Sequence, residues 1–221
     1  MIKRLYWRTS SLINQIYRNV LMELTEAFIL GEIAKLQRIY ELKQEIRYGE
    51  SRTDATNPES VAEHVFGMHV LFEYFWPLED PGKKWDQAKM RQMITFHDVD
   101  EIITGDKIGY LKTAADKAAE AHAHQQVMEE IPATLKNSIA TVLSEYEERE
   151  TVEAKFIKAI DKIEPVFHVF NPAGKELLHR MRTTREQHDS IKLPYFQPFP
   201  VIKRFYDVSI AKMVNDGYFV G

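Results

Sequence analysis

Three stretches of the chain place cation-binding groups where apolar side chains are expected. After Met90 and Ile94 the same helical stripe continues through His97, Asp98 and Glu101, so Ile94, His97, Asp98 and Glu101 run at i, i+3, i+4 and i+7. A second stripe, Ile157 and Ile160, passes into Asp161 and Glu164 at the same spacing. A third, formed by Val61, Val65, Met68 and Phe72, carries His64 on its face. An ionised carboxylate buried without partners is destabilising by several kcal/mol. Two such faces therefore ask for a shared compensating cation. The chain has no cysteine, which excludes thiolate zinc, iron–sulfur and cysteine-nucleophile chemistry and leaves His, Asp and Glu as ligands. Neighbouring helical residues diverge by about 100°, so His97 and Asp98 can both reach one ion lying in front of their helix. The competing reading is an ordinary core in which Asp161 pairs with Lys158 or Lys162. His69, His122, His124, His168, His179 and His188 are read in that plainer way and given no role.

These side chains need helices to position them, and helices are what the sequence predicts almost everywhere. Apolar residues recur at helical spacing, as in Leu21, Leu24, Phe28, Ile33 and Leu36, a stripe expected to break near Gly31. There is no convincing alternating run and no Asn-Gly or Asp-Gly turn, so the fold class is all-α. Helical character is expected over about 10–45, followed by a loop over 49–58 rich in Ser, Thr, Asp and Asn. The next helix opens at Pro58 with Asn57 as its N-cap and stops before Pro77. Further helices are expected over about 86–104, ending at Gly105, then 112–130, 133–148 and 152–170. Glu145, Glu147, Glu148, Glu150 and Glu153 are placed on a solvated bend. Pro165, whose ring clashes with the carbonyl of Asp161, is expected to kink the last of these helices. A proline-broken aromatic crossing over 193–200 then leads to a final helix near 201–214.

The motifs Pro58-Glu-Ser-Val-Ala-Glu-His64, His97-Asp98-Val-Asp-Glu101-Ile-Ile-Thr-Gly105-Asp106 and Glu153-Ala-Lys-Phe-Ile-Lys-Ala-Ile-Asp161 closely resemble the HD-domain phosphohydrolases, most of all their 5′-deoxynucleotidase branch. The resemblance covers about residues 33–170. It implies a single HD-domain helical core, set at 33–175, and the residues it does not explain are read as an N-terminal helical extension over 1–32 and a C-terminal one over 176–221 packed on the core. It also implies roles: His64, His97, Asp98 and Asp161 as the metal ligands, Glu101 as the general acid/base, and Asp106 near the substrate sugar. Two imidazoles and two carboxylates suit one divalent Mn, Co, Fe or Zn ion better than Mg. Family members carry an Arg and a Trp before the first ligand. Here Arg47 or Arg52 is the basic group, with Arg47 taken as substrate-binding. Counting back from His64 puts Glu50 in the tryptophan slot, with Tyr48 as a substitute ring.

The expected function is metal-dependent removal of phosphate from a small nucleotide, foremost a (deoxy)nucleoside 5′-monophosphate. The alternative on the same centre is a nucleoside triphosphate, phosphodiester or non-nucleotide phosphate, with Arg47, Arg52, Lys107, Lys112 and Lys117 as candidate cations. A third reading is a non-catalytic metal- or nucleotide-binding protein. The 221 residues are 44% apolar and 28% charged, with a net charge of −4 and a pI near 6.1, so no basic field draws the chain to nucleic acid. The longest apolar runs are about four residues, as in Ala27–Leu30, far short of the roughly 20 needed to span a bilayer. The first residues lead into no apolar signal segment, and a cytoplasmic location is expected. Extra apolar surface on the N-terminal helices and on Tyr195, Phe196, Phe199, Phe205 and Tyr206 makes a homodimer an expectation.

Overall fold

The computed structural model describes residues 24–49, 58–107 and 112–220, and these form an all-α protein with no sheet among them. In chain order the helices are α1 (Glu26–Tyr40), α2 (Val61–Glu79), α3 (Gln87–Phe96), the single turn α4 (Glu101–Thr104), α5 (Ala114–Glu130), α6 (Ala133–Glu148), α7 (Val152–His168), α8 (Pro172–Arg180), α9 (Arg185–Phe196) and α10 (Pro200–Asn215). Most begin on a side-chain cap. Ser60 and Glu63 form a reciprocal capping box on α2, and Thr151 accepts from Ala154 at the start of α7.

Several boundaries correct the sequence reading. Helix α2 starts at Val61 on the Ser60 cap, not at Pro58, and Asn57 lies outside the described residues. It runs through Pro77 and α9 runs through Pro194, while α7 carries Pro165 inside it as expected. Each proline only loses one bond there, and tertiary packing holds the rest of the turn. Gly31 does not break α1. The acidic cluster belongs mostly to α6, which ends at Arg149 in a left-handed conformation (φ 54°). The stretch 86–104 is not one helix: residues 97–100 form tightened turns in which Val99 donates to Phe96 and Glu101 to Asp98, at 3.1 Å each. The break puts His97 and Asp98 at a helix end. Gly105, at φ 69°, closes α4 in a conformation that side chains avoid.

Helix α7 is the axis of the molecule. It contacts α2, α3, α6, α9 and α10 and buries Phe156, Ile157, Ile160, Ile163 and Val166. Around it lies one continuous core that includes Phe72, Phe75, Met90, Met93 and Ile94. The aromatic tail joins this core: Phe199 packs edge-on to Phe156 at 5.4 Å and Phe205 to Phe75 at 5.0 Å. An antiparallel bridge between Ile46 and Ser60, with Arg47 donating to the Glu59 carbonyl, pins Arg47 beside the first turn of α2.

Candidate metal centre

His64 projects from α2 and His97 and Asp98 from the turns after α3, and these three converge, with Asp161 of α7 beside His64. Ligand atoms of His64, His97 and Asp98 all lie within 4.8 Å of one another. His97 Nε2 stands 2.9 Å from Asp98 Oδ2, and His64 Nε2 stands 3.6 Å from Asp161 Oδ1. Both imidazole Nε2 atoms are buried and make no hydrogen bond. That leaves two lone pairs and two carboxylates around one small space, the donor set of a divalent transition ion. Ligand atoms about 2.1 Å from a common ion at right angles stand roughly 3 Å apart, which is the spacing found between His97 and Asp98. The residues therefore fit such an ion. Burial and Arg47 disfavour a charged His64, but Asp161 and Glu164 outweigh them and raise it to about 9.

The imidazoles are held from behind. His97 Nδ1 donates to the Ile94 carbonyl at 3.0 Å, which leaves its Nε2 lone pair for the centre. His64 Nδ1 donates to Glu164 Oε2 at 2.7 Å, the carboxylate–histidine arrangement that orients a metal-binding ring. Gly67 makes room for it, since a Cβ there would fall 2.5 Å from Glu164 Oε1. Although burial opposes its charge, Glu164 is held below the ordinary carboxylate range by His64 and then Arg47. Asp161 also accepts from the Tyr146 hydroxyl at 3.1 Å and pairs with Lys162 at 2.9 Å and Lys158 at 3.6 Å. Tyr146 was not legible as a site residue, and Glu164 was legible only as the polar residue that continues the Asp161 stripe, not as the partner behind His64. Glu164→Gln is expected to weaken metal affinity about 10–100-fold, as outer partners of ligands usually do. A competitive chelator titration measures it, and unchanged affinity would make Glu164 a packing residue.

Glu101 lies beside the ligands, buried, with Oε2 unpartnered. Burial first, then the charges of Asp98 and Asp106, push its carboxyl well above its ordinary range. It faces a cavity of about 710 Å³ that also includes Asp98, Asp161, Arg47 and Asp106. Arg47 is not a free cation: it donates to Glu59 at 2.7 Å and lies 3.6 Å from Glu164 and 3.8 Å from Asp106. Asp106 accepts from the backbone N–H of Tyr48, whose ring lies 5.0 Å from the Arg47 guanidinium. Tyr48, at φ 66°, is thus the ring next to Arg47. Glu50 and Arg52 lie outside the described residues, as does the side chain of Lys117. Lys107 and Lys112 are paired with Asp116 and Glu120, at 2.8 and 2.7 Å.

The HD domain family profile matches residues 39–200. Among curated proteins, the chain is 28% identical over 138 residues to the 5′-deoxynucleotidase HDDC2 of Xenopus laevis, covering 59% of this chain and 64% of that protein. It is 25% identical over 157 residues to the human 5′-deoxynucleotidase HDDC2, covering 70% and 74%. The match thus spans less than two thirds of the frog protein's length. Among solved structures, a "predicted metal-dependent phosphohydrolase" of Magnetospirillum magnetotacticum MS-1 superposes with a TM-score of 0.75 at 21% identity, over 90% of this chain and 100% of the other. A Pyrococcus horikoshii OT3 protein superposes with a TM-score of 0.53 at 22% identity, over 78% and 98%. These two likenesses concern the fold.

Proposed function

Because the chain belongs to the HD domain family, we propose that it is a metal-dependent phosphohydrolase that releases phosphate from a small nucleotide, with a nucleoside 5′-monophosphate as the first substrate to try. The observation that carries this reading is the pair of buried, unpartnered imidazole Nε2 atoms facing two carboxylates. His64, His97, Asp98 and Asp161 would hold one Mn, Co, Fe or Zn ion. Such an ion supplies activation of water and neutralisation of phosphoryl charge.

The chain's own residues do the rest. Glu101, whose protonated carboxyl is favoured by burial and by the charges of Asp98 and Asp106, is placed to give its proton to the leaving 5′-oxygen. Glu164 and the Ile94 carbonyl fix the imidazole rings. Asp106, buttressed by the Tyr48 N–H, accepts from a sugar hydroxyl. Arg47, anchored by Glu59, presents positive charge toward the phosphate side of the cavity.

Among the described residues no helix is long and apolar enough to cross a membrane. A cytoplasmic location fits this reading. A homodimer is supported by the exposed stripe Phe66, Val70, Tyr74 and Leu78 along α2.

Sugar choice follows from Tyr48. Its ring, beside Arg47, is taken as the substitute for the tryptophan that the family resemblance leads one to expect, and a phenol is smaller than an indole, so it would close the sugar pocket less tightly around a 2′-deoxyribose. The expected preference for a deoxy over a ribo monophosphate is below about a hundredfold in kcat/KM, worth under roughly 2.7 kcal/mol. Steady-state rates of one matched pair, with Mn²⁺ or Co²⁺ supplied, measure it. A larger preference would show that Tyr48 seals the pocket. Turnover of neither, beside cleavage of a triphosphate or a diester, would move the function to those substrates.

A further inference from the structure

The cations that line the cavity fall into two groups. On the Asp106 side each has its own carboxylate: Arg47 has Glu59, Lys107 has Asp116 and Lys112 has Glu120. On the other side, where α7 faces α9, the pairing is incomplete. Lys158 and Lys162 share a single carboxylate oxygen, Asp161 Oδ2, at 3.6 and 2.9 Å. Glu147 stands 3.9 Å from Lys158 but is itself well exposed. Arg149 reaches the Tyr195 hydroxyl at 3.3 Å and no carboxylate among the described residues. Lys192 is buried on α9 and donates only to the Lys162 carbonyl at 2.8 Å, with no carboxylate within 4.0 Å among the described residues.

An ammonium buried without a counter-ion is costly, and chains rarely retain one for stability alone. Burial, then the neighbouring Lys162, pulls Lys192 down to about 7. The imbalance grows once the centre is loaded, because a divalent ion draws on the same Asp161 charge that Lys158 and Lys162 now share. Lys158, Lys162 and Lys192 all line the cavity that also includes Asp98, Glu101 and Asp161, and an anion bound there would restore the charge that burial disfavours on Lys192.

We propose that Lys158, Lys162 and Lys192 form a subsite for a second phosphate group, so that the favoured substrate is a nucleotide carrying more than one phosphate. This rests on the phosphohydrolase reading above and extends it from the reacting phosphate to the rest of the substrate. A second phosphate placed there supplies the missing counter-charge, and Tyr195 and Arg149 close the rim of the lobe. The three lysines come from α7 and α9, so the C-terminal helices act as specificity-determining elements as well as packing on the core. A second phosphate has two chemical sources, the sugar 3′-position or the 5′-chain.

The test is binding, measured by calorimetry on the metal-loaded Glu101→Gln protein, which turns substrate over slowly. The ligands are a deoxynucleoside 5′-monophosphate, its 3′,5′-bisphosphate and its 5′-diphosphate. At least one of the two-phosphate ligands is expected to bind ten or more times tighter than the monophosphate, and which one does so locates the second group. Adding Lys192→Met should bring that ratio close to one. Methionine fills a similar volume and removes a buried amine, so the melting temperature should hold or rise. If this variant fails to fold, Lys158→Met takes its place. Equal affinity for all three ligands overturns the proposal, and so does tighter binding that both variants leave intact. Absence of phosphate release from every nucleotide by the unmodified protein would instead overturn the phosphohydrolase reading, while the affinity ratio still decides the subsite.

Discussion

Glu101→Gln is expected to keep its divalent ion and to lower kcat by about 10²–10⁴-fold, the usual scale for a general acid–base group. The change preserves shape and removes only the ionisable proton. Glu101 is suited to that task by its surroundings: it is buried, one oxygen has no partner, and the nearby charges of Asp98 and Asp106 favour its protonated form. It is one turn from Asp98 on a separate short helix, so it can address the reacting atoms without entering the ligand set. Metal content and kcat measured on the same preparation separate the cases. Loss of metal would make Glu101 a ligand, and near-normal turnover would make it a structural carboxyl.

His97→Ala and Asp98→Ala are each expected to abolish stoichiometric metal and to reduce phosphate release to background. Each removes one of the groups that face the shared point, and a site with three or fewer remaining ligands binds the ion far less well. Stability should follow. An ion that binds only the folded chain stabilises it by mass action, so a chelator should lower the melting temperature of the unmodified protein and leave that of the variants almost unchanged. Either variant retaining a full equivalent of metal and its activity would sink the ligand assignment.

How much of this was legible in the sequence differs from residue to residue. His64, His97, Asp98 and Asp161 stood out because each interrupts an apolar stripe at helical spacing, a local pattern that survives into the fold. The break after Phe96 did not, because Val99 is as apolar and buried as a continuing helix would require. Pro77 and Pro194 misled for the opposite reason: a strong local breaker was overruled by tertiary packing. Counting back from His64 pointed to Glu50, which lies outside the described residues, while the ring set beside Arg47 is that of Tyr48. Its place is set by the bridge from Ile46 to Ser60 and by the bond to Asp106, both long-range. Glu164 was visible as a polar residue on a buried face, but its role appears only when Gly67 leaves room for it beside His64. Lys192 carried no signal at all, since its burial without a carboxylate among the described residues appears only once α9 packs on α7.

The central claim is that four side chains from three separate segments hold one transition ion. Anomalous diffraction at the absorption edge of Mn or Co, from crystals grown with that ion, tests it most directly. The account predicts one strong peak in contact with His64 Nε2, His97 Nε2 and the carboxylates of Asp98 and Asp161. A peak at the other carboxylate–imidazole cluster, Glu59, His64 and Glu164, or no peak at all in metal-supplied crystals, would contradict it.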